Sequence, residues 1–184
     1  LESKPTRALN IGILEQATIS FAAGLSKIGF IPIVHTIATF MVDRAFEQLK
    51  IDFGYQRLKG NFISVGASYD YAALGCTHHC PEDINLLKTI PNMQIIVPGN
   101  SFEFNSLFNQ SYKKSGPRYF RLSTEENSLI SKVSFGKANI LNQGGGVTVI
   151  AIGPVLNFVF QECVKHDLNL IYYTTINPFD VKIF

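Results

Sequence analysis

The chain has 184 residues, 46% hydrophobic and 16% charged, a balance that indicates a globular protein with a sizeable core and excludes a disordered chain. Sixteen Lys and Arg residues against fourteen Asp and Glu residues leave a formal charge of +2, and the scattered basic residues argue against nucleic acid as a partner. The longest apolar stretch, 147–164, contains Gly153 and Pro154, so it predicts a strand, a turn and a helix instead of a membrane span.

Apolar residues alternate between the spacing of strands and the spacing of helices along the chain. The predicted strands of the first part are 7–11, 31–36, 62–66, 94–97 and 118–122. The predicted helices between them are 15–27, 39–50, 81–89 and 101–114. This βαβ rhythm predicts an α/β fold with a mostly parallel sheet that is covered by helices on both faces.

The pattern changes near residue 127, after a polar connection at 123–127. Beyond it the pattern predicts a strand, a helix and a strand at 147–152, 156–165 and 169–174. One such unit cannot close a core alone, so the sequence predicts a first domain over 1–127 and an incomplete second α/β domain over 128–184. Because the chain starts without Met, we also expect it to be a piece of a larger protein.

Glu15 is a lone carboxylate between the apolar strand predicted at 7–11 and the apolar helix predicted at 15–27. Ligands of open α/β sheets bind at the carboxyl ends of the strands, and Glu15 lies at such a junction. A carboxylate among apolar neighbours is partly desolvated, and desolvation raises its affinity for a proton. The position therefore predicts a carboxylate that binds a ligand.

Phe40 projects away from the core side of the helix predicted at 39–50. At about 100° per residue, it points in the same direction as Arg44 and Glu47. The core side of this helix carries the apolar residues Ala38, Met41, Val42, Ala45 and Leu49. An aromatic ring in this position can stack on a planar ligand, or it can pack against a neighbouring domain or loop, and spacing alone favours the second.

The segment 76–80, Cys-Thr-His-His-Cys, lies on a loop just before the helix predicted at 81–89. A histidine placed there can donate to a substrate oxygen and exchange protons near neutral pH. The same residue types invite a zinc interpretation, but ligands so close together in sequence would strain tetrahedral geometry. An ordinary exposed loop histidine is the third interpretation. Three cysteines in a chain without a charged-then-apolar leader favour a reducing, cytoplasmic setting over a disulfide scaffold.

Several short motifs resemble, in their order along the chain, the pyrimidine-binding domain of transketolase-like thiamine diphosphate enzymes. They are Gly12–Gln16, Ala22–Leu25, Ile31–Val34, Thr39–Phe40, Arg44–Gln48, Gly75–His78, Glu82–Asp83, Ile90–Met93 and Val97–Pro98. The resemblance covers the chain from residue 5 to residue 123, and residues 133–180 resemble the opening of the transketolase C-terminal domain.

This resemblance implies roles for particular side chains. Glu15 matches the glutamate that hydrogen-bonds a nitrogen of the cofactor's aminopyrimidine ring and favours the imino tautomer that removes the thiazolium proton. Phe40 matches the aromatic residue that stacks on this ring, and Ile37 stands where relatives often have a second aromatic. His78 matches a histidine that contacts substrate oxygens. The implied catalytic residues are Glu15 and His78, and the implied cofactor-binding residues are Glu15, Ile37 and Phe40.

Two positions depart from the pattern of this family. Leu74 stands where many transketolases have an Asp that reads a sugar hydroxyl. Relatives also tend to have a phosphate-binding arginine shortly after the fifth strand, whereas Arg121 is followed here by Leu-Ser-Thr without a second arginine. These departures put the usual sugar phosphate in doubt and leave open an unphosphorylated or modified sugar, or another α-keto donor.

The sequence lacks the Gly-Asp-Gly motif with which a separate domain of this family holds the diphosphate and its metal. The resemblance therefore implies thiamine diphosphate as the cofactor, with Mg²⁺ or Ca²⁺ bound through the diphosphate by another domain or subunit and no metal ligand in this chain. It implies transfer of a two-carbon ketol unit from a ketose donor to an aldose acceptor. The active site would be completed in a homodimer or an α2β2-type assembly.

Two alternatives of different kinds remain. A deoxyxylulose-phosphate-synthase-like or dehydrogenase β-subunit-like enzyme also has a glutamate after Gly-Ile, although the Thr-His loop favours transketolase over the dehydrogenase subunit. A non-catalytic partner that kept the fold is the second alternative. The presence of Glu15 argues against it, because a buried acid without a ligand is costly.

Overall fold

The computed structural model describes residues 6–129 and 132–184. Its strands are Ile33–Ile37 (β1), Gly60–Val65 (β2), Gln94–Ile96 (β3), Pro117–Arg121 (β4), Ala138–Asn142 (β5), Thr148–Ile152 (β6), Asn169–Tyr173 (β7) and Thr175–Asn177 (β8). Its α-helices are Glu15–Lys27 (α1), Ala38–Val42 (α2), Phe46–Gln48 (α3), Asp83–Lys88 (α4), Ser101–Ser111 (α5) and Leu156–Lys165 (α6). None of the helices in these two ranges has the length and apolar character that crossing a membrane requires.

A five-stranded sheet in the order β1-β2-β4-β3-β8 forms the centre of the molecule. The first four strands in this order run parallel, and only β8 pairs antiparallel, at the β3 edge. Strand β4 is buried along almost its whole length, as expected of an inner parallel strand that is covered on both faces. The predicted α/β fold with a mostly parallel sheet is confirmed.

A second sheet of three strands, in the order β5-β7-β6, is built from the C-terminal part of the chain. Strands β6 and β7 run parallel and α6 connects them, which confirms the predicted strand, helix and strand. A single residue, Thr174, separates β7 from β8, so the chain passes directly from the second sheet into the first. The division into domains at residue 127 stays a prediction.

Two clusters of buried apolar side chains hold these layers together. The first cluster packs α1, α2 and α4 on one face of the five-stranded sheet, around Ile19, Met41, Leu49 and Phe62. The second packs residues of α5 and α6 against residues of both sheets, around Leu107, Phe120, Leu156 and Tyr172. Burying one apolar side chain of this size stabilises a fold by about 1.5–3 kcal/mol, so the clusters fix how the helices sit on the sheets.

The strand predicted at 7–11 is wrong, because these residues form no strand in the structure. The side-chain oxygen of Asn10 accepts a hydrogen bond from the backbone nitrogen of Gly12 at 2.9 Å. Such a local bond turns the backbone and competes with strand pairing. Gly12 then takes φ +90°, a value that favours glycine, and leads the chain into α1. Glu15 therefore follows a turn and not a strand.

The single helix predicted at 39–50 is also wrong, because it breaks after α2. The backbone nitrogens of Asp43 and Arg44 both donate to the carbonyl of Thr39, at 2.9 and 3.2 Å. The Thr39 hydroxyl in addition donates to the Asp43 carboxylate at 2.9 Å. These polar contacts widen the turn, and the chain continues through α3 into a π-helical segment, Leu49–Tyr55. The break brings Arg44 towards α1.

Candidate active site

Glu15 is the first residue of α1 and is almost buried, with 9% of its surface exposed. The turn at Gly12 places it there, since the Leu14 nitrogen donates to the Gly12 carbonyl at 3.0 Å just before the helix begins. A carboxylate in the first turn lies at the positive end of the helix dipole, which stabilises its negative charge. The predicted burial of Glu15 is therefore present, although the element before it differs from the expectation.

Arg44 reaches Glu15 from the turn after α2. Its Nη1 atom donates to Glu15 Oε2 at 2.8 Å, and the Arg44 side chain is 40% exposed. None of the described residues donates a hydrogen bond to the other carboxylate oxygen. Helical spacing placed Arg44 on the same side of the helix as Phe40 but indicated no role for it. The partner of Glu15 lies 29 residues away and was missed.

Phe40 lies beside this ion pair. The Arg44 Cζ atom is 4.3 Å from the centre of the Phe40 ring, a cation–π contact. Ile37 is the last residue of β1 and immediately precedes α2, so it stands next to Phe40 at the carboxyl end of its strand. Both side chains are partly buried. The aromatic side chain of Phe40 thus lies next to the charged pair.

His78 joins the same group from a distant part of the sequence. Gly75, at φ +80°, opens a 3₁₀ turn over Cys76–His78. The His78 ring lies 5.2 Å from the Phe40 ring, centre to centre, in an edge-on arrangement. Its Nδ1 atom is 3.0 Å from the Thr77 hydroxyl, which leaves Nε2 for another partner. The structure therefore brings Glu15, Phe40 and His78 into one chain of contacts through Arg44, whereas Ile37 is placed only by its position at the end of β1.

A buried polar network anchors the loop that carries His78. Asp83 is fully buried, and its Oδ2 atom accepts hydrogen bonds from the Tyr119 hydroxyl at 2.8 Å and from Arg121 Nε at 2.7 Å. Arg121 also donates to the Ser68 hydroxyl at 2.7 Å, and Ser68 forms a β-bridge with Cys80. Burial, followed by the Asp83 carboxylate, raises the pKa of Tyr119 well above its ordinary value.

This network gives Arg121 a structural partner. Its Nε and Nη2 atoms are both bound within the protein, and only 14% of its side chain is exposed. In the sequence analysis, Asp83 appeared only as part of the motif Glu82–Asp83. Its pairing with Arg121 across 38 residues could not be read from that position.

The Cys-Thr-His-His-Cys segment does not gather into a metal site. Cys80 is buried with its thiol 3.8 Å from the Asp43 carboxylate, and the His79 ring packs edge-on against Tyr69 at 5.1 Å. Burial, followed by the Asp43 charge, raises the pKa of the Cys80 thiol far above its ordinary value. In the ranges 6–129 and 132–184, no three His, Cys, Asp or Glu side chains are placed to hold a metal ion.

A cavity of about 590 Å³ opens beside Glu15, between the turn before α1 and strand β1. Its polar lining includes Asn10, Glu15, Thr18 and His35. Large apolar side chains around it face solvent, and 85% of the Ile13 surface is exposed. The other exposed apolar residues that line this cavity are Leu9, Ile11 and Ile33. An apolar surface of this extent is typical of an interaction site.

Comparison with known proteins identifies the family. The model described as "Transketolase, pyrimidine binding domain" matches residues 2–128. The chain therefore belongs to the family of proteins with a transketolase pyrimidine-binding domain, which are transketolase-like enzymes, as the motifs predicted. The fold of this family implies dependence on thiamine diphosphate.

Two curated relatives and one solved structure show the extent of the likeness. The chain is 36% identical over 176 residues to an "Uncharacterized 33.6 kDa protein in fasciation locus" of Rhodococcoides fascians, covering 96% of this chain and 56% of that protein. It is 29% identical over 177 residues to a subunit of the apulose-4-phosphate transketolase of Actinobacillus succinogenes, covering 94% and 57%. A "Split gene transketolase, inactive beta4 tetramer" superposes with a TM-score of 0.86 at 26% identity, covering 99% and 62%. The chain thus spans little more than half the length of these two curated relatives.

Proposed function

We propose that this chain supplies the pyrimidine-binding half of a thiamine diphosphate-dependent active site that transfers a two-carbon ketol unit from a ketose to an aldose. One observation carries the proposal. A nearly buried carboxylate, Glu15, keeps one oxygen without a donor among the described residues and lies in the same group of contacts as Phe40 and His78.

The residues present fit an aminopyrimidine ring. The Glu15 oxygen that Arg44 leaves free is not sealed from solvent, so a ring nitrogen of the cofactor can reach it and form a hydrogen bond with it. The Phe40 ring offers a flat apolar surface on which a planar heterocycle can stack. Ile37 adds an aliphatic wall next to it. We therefore assign Glu15, Phe40 and Ile37 to cofactor binding.

In the proposed mechanism, bound thiamine diphosphate supplies the carbon nucleophile for the ketose carbonyl. Glu15 would hydrogen-bond a ring nitrogen of the cofactor through the carboxyl oxygen that Arg44 leaves free, and a proton would be exchanged with the ring at that oxygen. Phe40 would stack on the ring and so help to keep this hydrogen bond aligned. His78 keeps Nδ1 next to the Thr77 hydroxyl, which leaves Nε2 to form a hydrogen bond with a substrate oxygen.

The proposal includes a partner that holds the diphosphate and its Mg²⁺ or Ca²⁺. The sequence contains no Gly-Asp-Gly motif, and the exposed apolar surface around Ile13 and Leu14 lies next to the proposed ring site. The relative named as one subunit of a transketolase and the neighbour described as a split-gene transketolase support a multi-subunit assembly. We place the partner on this surface, in a homodimer or an α2β2-type arrangement.

The proposed substrate is an unphosphorylated or modified sugar, or another α-keto donor. Arg121 binds Asp83 and Ser68 and only 14% of its side chain is exposed, so it presents little surface to a substrate phosphate. Leu74 is 58% exposed at the rim of the histidine loop, where it offers an apolar surface and no carboxylate for a sugar hydroxyl. Both features support a substrate whose recognition does not depend on a phosphate bound by Arg121.

The test uses the full-length protein together with its diphosphate-binding partner. In this assembly, Glu15→Gln should lose most ketol transfer, measured with a panel of phosphorylated and unphosphorylated ketoses. Glu162→Gln is the matched control, because Glu162 is an exposed glutamate whose ion pair with Lys165 lies far from the site, and it should retain full activity. Survival of activity in Glu15→Gln would contradict the proton route and would favour a non-catalytic partner.

A second test separates this chain from its partner. The isolated chain should bind thiamine diphosphate weakly, since no diphosphate motif is present, and should show no ketol transfer. Calorimetric titration and the same activity assay measure both properties. Appreciable turnover by the chain alone would show that it holds a complete active site.

A further inference from the structure

We infer that Arg44 is a positioning residue that holds one oxygen of Glu15 so that the other oxygen faces the cofactor ring. The inference rests on the proposed function, and it assigns a role to Arg44, a residue of one of the matched motifs to which the sequence pattern gave no role. The group on which it acts is the carboxylate itself.

The contacts of Arg44 are unequal on the two sides of the carboxylate. Nη1 binds Oε2 at 2.8 Å, and the described residues give Oε1 no hydrogen bond. The same guanidinium lies 4.3 Å from the centre of the Phe40 ring. One planar group therefore fixes the acid that would bind the ring nitrogen and touches the aromatic residue on which the ring would stack. A lysine has a single ammonium group and could not match both contacts with the same geometry.

The backbone holds Arg44 in place for this task. Its nitrogen donates to the Thr39 carbonyl at 3.2 Å, within the widened turn that ends α2. The next residue, Ala45, is completely buried, as is Leu49 in the following segment. The anchored backbone limits where the side chain can go. No side chain forms a capping hydrogen bond at the start of α1, the helix that begins with Glu15. Among the described residues, Arg44 is the only ion-pair partner of Glu15.

The exposure of the pair argues for positioning over stabilisation. The Arg44 side chain is 40% exposed, and ion pairs with so much solvent contact contribute little to the stability of a fold. A small misplacement of a catalytic group, in contrast, can slow a reaction by about 100-fold. The loss of Arg44 should therefore affect the chemistry much more than folding or binding.

The experiment uses the full-length assembly with bound thiamine diphosphate. NMR measures the rate at which the proton on the thiazolium carbon exchanges for deuterium from the solvent. Arg44→Gln should slow this exchange by about 10- to 100-fold, while the Kd for thiamine diphosphate changes by less than about fivefold. Arg44→Lys keeps the charge and should recover only part of the rate. Lys165→Gln, which removes a cation from a different exposed ion pair, should leave both quantities unchanged.

The outcomes separate the inference from the function on which it rests. Wild-type exchange in Arg44→Gln, alongside lost exchange in Glu15→Gln, would overturn the role of Arg44 and leave the function standing. Tighter cofactor binding by Arg44→Gln would also overturn it, because the guanidinium would then compete with the ring. Failure of the wild-type assembly to bind thiamine diphosphate would remove the proposed function itself. Thermal unfolding of each variant shows that the changes in exchange occur in folded protein.

Discussion

Two carboxylate–arginine pairs in this molecule have nearly the same length and different environments. Asp83 and Arg121 are 2.7 Å apart, and the Asp83 side chain is completely buried. Its Oδ2 atom also accepts from Tyr119, while Oδ1 accepts from the backbone nitrogen of Ile84. Glu15 and Arg44 are 2.8 Å apart, and one Glu15 oxygen has no donor among the described residues.

The difference distinguishes an acid that supports the fold from an acid that is available for chemistry. A carboxylate whose oxygens are all bound inside the protein can accept no ligand without losing a partner. A carboxylate with one oxygen that the protein leaves open can bind a ligand there without losing a protein partner. By this criterion Asp83 is structural and Glu15 is available. Variants of the two pairs can test the distinction.

The largest effect on stability is expected from Asp83→Asn. This change leaves the buried Arg121 without its counter-charge, and Tyr119 loses a charged acceptor. Removing one partner of a buried ion pair costs about 3–5 kcal/mol, so the free energy of unfolding should fall by roughly that amount. Denaturant titration of the full-length protein measures it. A change no larger than that of Glu162→Gln, an exposed control, would show that the network contributes little.

A much smaller effect on stability is expected from Glu15→Gln. The Arg44 side chain can turn to solvent when its partner loses its charge, since it is already 40% exposed. The free energy of unfolding should change by no more than about 1 kcal/mol. The same denaturant titration, together with the activity assay, should show that the variant keeps its stability and loses its activity. A loss as large as that of Asp83→Asn would erase the distinction between the pairs.

The smallest effect concerns Asp43, which lies between the two pairs in the turn after α2. Desolvation is the main cause that raises the pKa of its carboxyl above the ordinary value. The folded protein therefore holds this proton more tightly than the unfolded chain, and the stabilisation present at acid pH is lost as pH rises through the folded pKa. Asp43→Asn should flatten this part of the pH dependence of unfolding. An unchanged slope would contradict the raised pKa.

Sequence patterns predicted the elements whose residues carry a strong local signal. The helices over Glu15–Lys27 and Leu156–Lys165 have the predicted bounds. In both, the apolar residues at helical spacing begin and end where the flanking turns do. The pattern failed where a polar side chain redirects the backbone. Asn10 turns the chain where a strand was expected, and Thr39 with Asp43 opens the helix that carries Phe40.

The candidate site was only partly accessible from sequence for a related reason. Glu15, Phe40 and His78 were identified by position and by motif, and the structure places them in one group of contacts. The connecting residue, Arg44, was missed because its link to Glu15 crosses 29 residues. Such a contact depends on how α1 packs against the turn after α2, and no local pattern encodes that arrangement.

The direct passage from β7 to β8 through Thr174 has a practical consequence for anyone who shortens this protein. Strand β8 covers the outer side of β3, and the Val97 nitrogen donates to the Thr174 carbonyl at 2.8 Å. A fragment that stops at residue 128, where the match to the family ends, would lack β8. The backbone donors and acceptors along that edge of β3 would then have no hydrogen-bond partners. Unpaired strand edges of this kind recruit other chains. Such a fragment should therefore self-associate. A shortened protein must keep the C-terminal part through β8 to stay free of this association.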